Sequence, residues 1–271
     1  MHRLVRCSIA VLALCAALLS APPAAADPGS AILDVRPLGG RQLEVVVHSA
    51  AMNRPITLWM SHPGPGAPAL YLLNAVDGGE TGGPPLLESR FAMTGRNAVA
   101  GASMSATAAL NLALDAPGRY QAVGAYSGCA HTTSPAGRAL VHSQLAAFGA
   151  NAANMWGAPD NPAWTAHDPF LRAGELRGLA LYISAGDGRP DRHDQLGASG
   201  VGGNPATLVD RAVVGGVMES VVGGCTHRLS ERLGALGIPA TVAMRPGTHA
   251  WPYWQDDLHD SWPIFAAAIG A

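Results

Sequence analysis

The 271-residue chain contains no lysine: its 17 basic residues are all arginines, set against 19 acids for a formal charge of −2. With only 13% of residues charged, no basic stripe exists to neutralise phosphates or hold an anionic membrane surface, which argues against a nucleic-acid partner. Aromatic residues are scarce as well, at 6%. No His, Cys and Asp residues recur at zinc-ligand spacing and no glycine-rich phosphate fingerprint follows a strand, so neither a metal nor an organic cofactor is expected. No apolar run reaches the 20 or so residues needed to cross a bilayer, and no transmembrane segment is expected. What the chain does have is apolar material, 48% of its residues. That is enough for a full core, and it excludes a disordered or collagen-like polymer.

Arg3 and Arg6 precede an apolar run from Cys7 to Leu19, followed by Pro22-Pro23 and Ala24-Ala25-Ala26. This order of basic, apolar and small residues predicts a secretory signal over residues 1–26, cleaved after Ala26, and hence a secreted or cell-wall protein. Residues 27–271 then read as one domain and a monomer, with no internal repeat or linker. Cys7 and Cys15 would leave with the signal. The two remaining thiols, Cys129 and Cys225, are expected to pair in an oxidising exterior; the alternative is two small buried residues.

Alternating segments predict an antiparallel meander of strands Ala31–Arg36, Leu43–His48 and Ile56–Ser61, punctuated by Gly39-Gly40 and Asn53-Arg54-Pro55. Beyond residue 68 the texture changes to short continuous apolar runs: Ala69–Asn74, Asn97–Ala100, Ala122–Tyr126, Leu179–Ala185 and Ala240–Met244. Such runs are strands buried on both faces. Helices are predicted at Ser105–Asp115, Ala206–Val222 and Thr226–Leu236, the last stopped by Gly237 and Pro239. Strand–helix alternation means an α/β fold with a mostly parallel sheet flanked by helices. Residues 186–205, rich in Gly, Pro and Asp, read as a surface loop.

In Ala100-Gly101-Ala102-Ser103-Met104-Ser105-Ala106 a buried strand turns sharply into an Ala-rich helix. A serine at such a turn is held with its hydroxyl above the sheet, and small neighbours are needed because strand and helix nearly touch. Ser105 stands where glycine usually ends the motif. A serine hydroxyl is a weak nucleophile, so it needs a base within hydrogen-bond reach and a third group to orient that base. Of ten histidines, His249 alone stands on the loop directly after the last strand, in Gly247-Thr248-His249-Ala250-Trp251-Pro252-Tyr253-Trp254. The order serine, acid, histidine along the chain admits Asp187, Asp191, Asp194, Asp210, Glu219 and Glu231; the choice is open between Asp187, just after strand Leu179–Ala185, and Glu219 in a helical segment. Trp251, Tyr253 and Trp254 are either core packing or the lining of an acyl or alcohol pocket.

Five ordered blocks carry a resemblance. They are Tyr71-Leu72-Leu73-Asn74-Ala75, Gly101-Ala102-Ser103-Met104-Ser105, Tyr126-Ser127-Gly128, Asn154-Met155-Trp156-Gly157 with Asp160-Asn161-Pro162-Ala163-Trp164, and the block around His249. Together they resemble the antigen 85 mycolyltransferases, secreted esterases of the α/β-hydrolase superfamily. The resemblance implies a Ser103, His249, Glu219 triad and oxyanion donors on the backbone of Met104 and Val76. It offers Asn74 and Trp251 as substrate-binding residues. It implies an acyl-enzyme, formed from a lipid ester and passed to a sugar or glyceride hydroxyl.

Two departures matter. Asn74-Ala75-Val76-Asp77-Gly78-Gly79 lacks the sugar-binding arrangement of the family's first motif, which argues against trehalose as acceptor. Only 28 residues lead from Ala75 to Ser103, where the family places a further strand and helix; Leu86–Met93 leaves room for a short crossover helix. Loss of an interior strand would strand backbone groups. The alternative to an enzyme is therefore a non-catalytic cell-wall or matrix-binding protein on the same fold.

Overall fold

The computed structural model describes residues 29–50, 53–61, 64–73, 90–147 and 149–271. The expected signal segment 1–26, Asn74, Val76 and residues 86–89 of the expected crossover helix Leu86–Met93 lie outside them. Strands β1 (Ala31–Gly39), β2 (Gln42–Ser49) and β3 (Arg54–Ser61) form an antiparallel sheet in sequence order. Strands β4 (Ala69–Leu73), β5 (Asn97–Ala102), β6 (Tyr120–Tyr126), β7 (Ala180–Gly186) and β8 (Thr241–Arg245) form a separate parallel sheet, again in order. Every residue of β5 is buried, and only one residue in each of β6 and β7 is not, which is why these strands read as unbroken apolar runs. The last strand, β8, bonded only to β7, exposes Val242 and Met244.

Helix α1 (Met104–Asp115) connects β5 to β6, and α2 (Pro135–Ala147), α3 (Ala152–Trp156) and α4 (Ala163–Ala166) lie between β6 and β7. Helix α5 (Pro205–Asp210) runs through a π-helical turn, Arg211–Gly215, into α6 (Gly216–Ala235); α7 (Trp251–Ile269) closes the chain. Two apolar layers result. On one sheet face Leu110, Leu229 and Leu233 from α1 and α6 meet Val123 and Ile183. On the other, Trp254, Phe265 and Ile269 from α7 cover Ala100, Ala122 and Tyr182. Each fully buried Val, Leu, Ile or Phe side chain among them contributes about 1.5–3 kcal/mol.

The structure differs from the sequence expectation in two places. The helices expected at Ala206–Val222 and Thr226–Leu236 are one continuous run from Pro205 to Ala235. Gly223 does not interrupt it: a Cβ there would lie 2.7 Å from the Gly186 carbonyl oxygen, so the glycine serves close helix–strand approach. The short segment before β5 does not break an interior pairing either. β4 pairs with β5 from Ala69↔Asn97 to Leu73↔Gly101, and the discontinuity falls instead between the meander and β4. The meander packs through Val45 and Val47 against Tyr71, Phe91 and Met93. Among the described residues no helix is long and apolar enough to cross a membrane.

Candidate active site

Ser103 is the single residue between the end of β5 and the start of α1, with φ 59° and ψ −124°. A positive φ is strained for a serine, and such strain persists only where the surroundings impose it. Those surroundings are visible. A Cβ on Gly101 would lie 2.3 Å from the Ser105 carbonyl oxygen, so only glycine lets the strand pass the helix. Ser105 is fully buried. Its Oγ accepts from the Ala102 N–H at 3.0 Å and lies 2.9 Å from Ala102 O and 3.1 Å from Leu73 O, the acceptors for its proton. In place of the usual glycine it stitches β5, α1 and the end of β4 together. The Ser103 N–H donates to Tyr126 O at 2.9 Å. Met104 opens α1, so its N–H has no carbonyl partner within the helix.

The loop after β8 brings His249 over this turn. His249 Nε2 is 2.8 Å from Ser103 Oγ, and Nδ1 is 2.6 Å from Glu219 Oε2. The imidazole side chain is 8% exposed and the Glu219 side chain is fully buried. An ionised carboxylate can only accept, so Nδ1 carries the ring proton and Nε2 presents its lone pair to the serine hydroxyl. The other carboxylate oxygen, Oε1, accepts from the Gly186 N–H and from Ser127 Oγ–H at 2.6 Å. Each oxygen thus has hydrogen bonds to replace the water lost on burial. The Trp254 and His249 rings meet edge to face, 5.0 Å between centroids.

The Esterase family model matches residues 84–264 of this chain, the stretch that holds this whole constellation. The chain belongs to the Esterase family. Within that family it is 31% identical over 182 residues to the diacylglycerol acyltransferase/mycolyltransferase Ag85A of Mycobacterium tuberculosis, covering 65% of this chain and 49% of that protein. It is 32% identical over 168 residues to Ag85B of Mycobacterium leprae, covering 60% and 47%. The esterase-family chain thus spans about half the length of the curated relatives it matches. Among solved structures, Mycobacterium tuberculosis MPT51 (FbpC1) superposes with a TM-score of 0.64 at 18% identity, over 82% of this chain and 96% of that one. The S-formylglutathione hydrolase of Agrobacterium tumefaciens does so with a TM-score of 0.56 at 13% identity, over 88% and 99%. These likenesses give the fold, the α/β-hydrolase architecture expected from the sequence.

The remaining candidate residues of this esterase-family member fall as follows. The Asp187 carboxylate accepts from the Arg189 N–H and pairs with the Arg189 guanidinium, away from the imidazole. Tyr253 and Trp254 are buried in the core, whereas Trp251 is 54% exposed and packs edge-on against Trp254. Cys129 and Cys225 are joined in a disulfide across 96 residues. Cys129 follows Ser127 by two positions and Cys225 follows Glu219 by six on α6, so the bond staples the helix bearing the acid to the strand end bearing its hydroxyl donor. Sequence reasoning missed Ser127 as a Glu219 partner. Its only signal was membership of the Tyr126-Ser127-Gly128 block. Among the described residues no group of three or more His, Cys, Asp and Glu could hold a metal ion.

Proposed function

We propose that this esterase-family chain is a serine acyltransferase or ester hydrolase acting on lipid esters, with Ser103 as nucleophile, His249 as base and then acid, and Glu219 orienting the imidazole. The observation that carries this reading is the unbroken hydrogen-bonded line from Glu219 through both ring nitrogens to Ser103 Oγ. As Oγ attacks the ester carbonyl carbon, Nε2 takes its proton and the resulting imidazolium faces the Glu219 carboxylate. The tetrahedral oxyanion is received by the N–H of Met104 at the start of α1, with Val76 as the second donor inferred from the family resemblance. Such donors are fixed before charge develops, and losing one typically costs about 3 kcal/mol. Collapse expels the alcohol, which takes the proton from Nε2 and leaves an acyl-enzyme on Ser103. A second hydroxyl, from water or from a sugar or glyceride, then reverses the sequence.

The diacylglycerol acyltransferase/mycolyltransferase activity of Ag85A and Ag85B supports a lipid acyl donor. Trp251, exposed two residues beyond His249, is our candidate for contact with the acyl chain, and Asn74 for contact with the acceptor. Export is inferred from residues 1–26, and the Cys129–Cys225 bond suits an oxidising compartment.

The test is labelling with a fluorophosphonate probe beside Ser103→Ala and His249→Ala. Labelling of the parent that disappears in both variants is expected. An unlabelled parent that still melts cooperatively overturns the enzyme reading in favour of a non-catalytic cell-wall or matrix-binding protein. Product analysis with a long-chain ester plus glycerol, diacylglycerol or trehalose then separates transfer from hydrolysis.

A further inference from the structure

A second buried carboxylate lies against the same loop, outside the Ser103–His249–Glu219 line. Asp194 belongs to the glycine-rich segment between β7 and α5, yet it is only 7% exposed. Its Oδ1 accepts from Thr248 Oγ1–H at 2.7 Å, and its Oδ2 accepts from Tyr253 Oη–H at 2.7 Å and from the Asp191 N–H at 3.2 Å. Thr248 immediately precedes His249 and is fully buried; Tyr253 follows four residues later and is 1% exposed. One carboxylate therefore grips the chain on both sides of the imidazole-bearing residue. Among the described residues no cation is paired with it, so hydroxyl and amide donors alone meet its desolvation.

We propose that Asp194 is a positioning residue, which fixes the loop after β8 and the start of α7, residues 247–253, so that His249 Nε2 points at Ser103 Oγ; this rests on the catalytic reading above. The loop needs such a hold. Gly247 has φ 135°, a conformation open mainly to glycine, and the His249 main chain is otherwise tied across by its N–H to Gly215 O at 3.2 Å. The segment that carries Asp194 is itself fixed. Asp187 and Gly188 N–H groups donate to Arg245 O and Gly247 O, His193 Nε2 lies 2.6 Å from Asp256 Oδ2 on α7, and Arg211 donates to His193 O. Asp194 thus carries the rigidity of the β7–α5 segment to the histidine loop, by hydrogen bonds that a hydrophobic residue could not make.

The test is steady-state turnover of a short p-nitrophenyl ester, with fluorophosphonate labelling rates and thermal melts, for the parent, Asp194→Ala, Asp194→Asn and Thr248→Val. Misplacing a catalytic group by about an ångström costs on the order of 100-fold. Asp194→Ala is therefore expected to lower kcat about 100-fold, and Asp194→Asn and Thr248→Val about tenfold each, with KM moving less than about twofold. Adding Thr248→Val to Asp194→Ala should cost little more, because both act through one contact. Leu176→Ala, a truncation in the first core layer, is the control: it should lose comparable stability with kcat intact. The shape-conserving Asp194→Asn keeps the question answerable if Asp194→Ala does not fold. A labelled parent with an Asp194→Asn variant turning over at the parental rate overturns the positioning role alone. A loss of kcat in Leu176→Ala equal to that in the Asp194 variants also overturns it. An unlabelled parent overturns the catalytic reading and this inference with it.

Discussion

Replacing Glu219 by glutamine tests the acid with little change of shape, and its consequence follows from the hydrogen bonds at each end of the side chain. Oε1 receives two donors, the Gly186 N–H and Ser127 Oγ–H, while Oε2 receives His249 Nδ1–H. The amide has one oxygen and one NH₂. If the NH₂ faced Gly186, two buried donors would oppose each other at a cost of about 1–3 kcal/mol. The favoured orientation keeps the oxygen on Gly186 and Ser127 and turns the NH₂ toward Nδ1. Nδ1 must then accept, the ring proton moves to Nε2, and the lone pair that should take the serine proton is gone. The developing imidazolium also loses its anionic partner. The corresponding aspartate-to-asparagine change in a serine protease triad lowers kcat about 10⁴-fold, or roughly 5.4 kcal/mol of transition-state stabilisation. We expect Glu219→Gln to fall in that range on a p-nitrophenyl ester, with its melting temperature within about 4 °C of the parent, since 1 kcal/mol shifts a domain of this size by about 2–4 °C. Asp187→Asn should turn over at the parental rate. Retention of more than about a tenth of kcat by Glu219→Gln, or an equal loss in Asp187→Asn, would refute the assignment.

Replacing both Cys129 and Cys225 by serine releases a 96-residue span. It should cost about 4–5 kcal/mol by loop-closure entropy, read as a lowered thermal midpoint; an unshifted midpoint contradicts the staple. Gly101→Ala places a methyl group 2.3 Å from Ser105 O, so a loss of about 1–3 kcal/mol and a marked fall in kcat are expected in melts and ester assays, and parental values in both would disprove the close-approach argument. Burial pushes the Asp256 carboxyl up, but hydrogen bonds from His193 and Arg192 outweigh this and hold it below its ordinary value of 3.8. Its folded pKa is thus depressed: its contribution to stability is complete above the unfolded value and is lost as pH falls through the folded one. Melts of the parent and Asp256→Asn should therefore differ near neutrality and converge in strong acid, and a gap that persists there counts against the pairing.

Local patterns carried much of this protein. Continuous apolar runs announced the buried strands β5, β6 and β7, because a strand covered on both faces has no polar positions to interrupt it. Gly101-Ala102-Ser103 announced the sharp turn, since only small residues allow strand and helix to touch. Helices α2 to α4 were not legible. α2 buries only Gly137, and the other two are five and four residues long, so neither periodicity nor length marked them. Residues 223–225, left between the two expected helices, are helical, and the constraint on Gly223 is the Gly186 carbonyl across the gap.

The sequence by itself determined the elements and placed a serine and a histidine at loop ends, because turn chemistry and hydrophobic period act over a few residues. Only the tertiary structure decided which acid meets the imidazole, and that a carboxylate at Asp194 reaches Thr248 and Tyr253 more than fifty positions away. Those choices depend on which polar groups are desolvated together when α6, α7 and the sheet close. No local pattern encodes that.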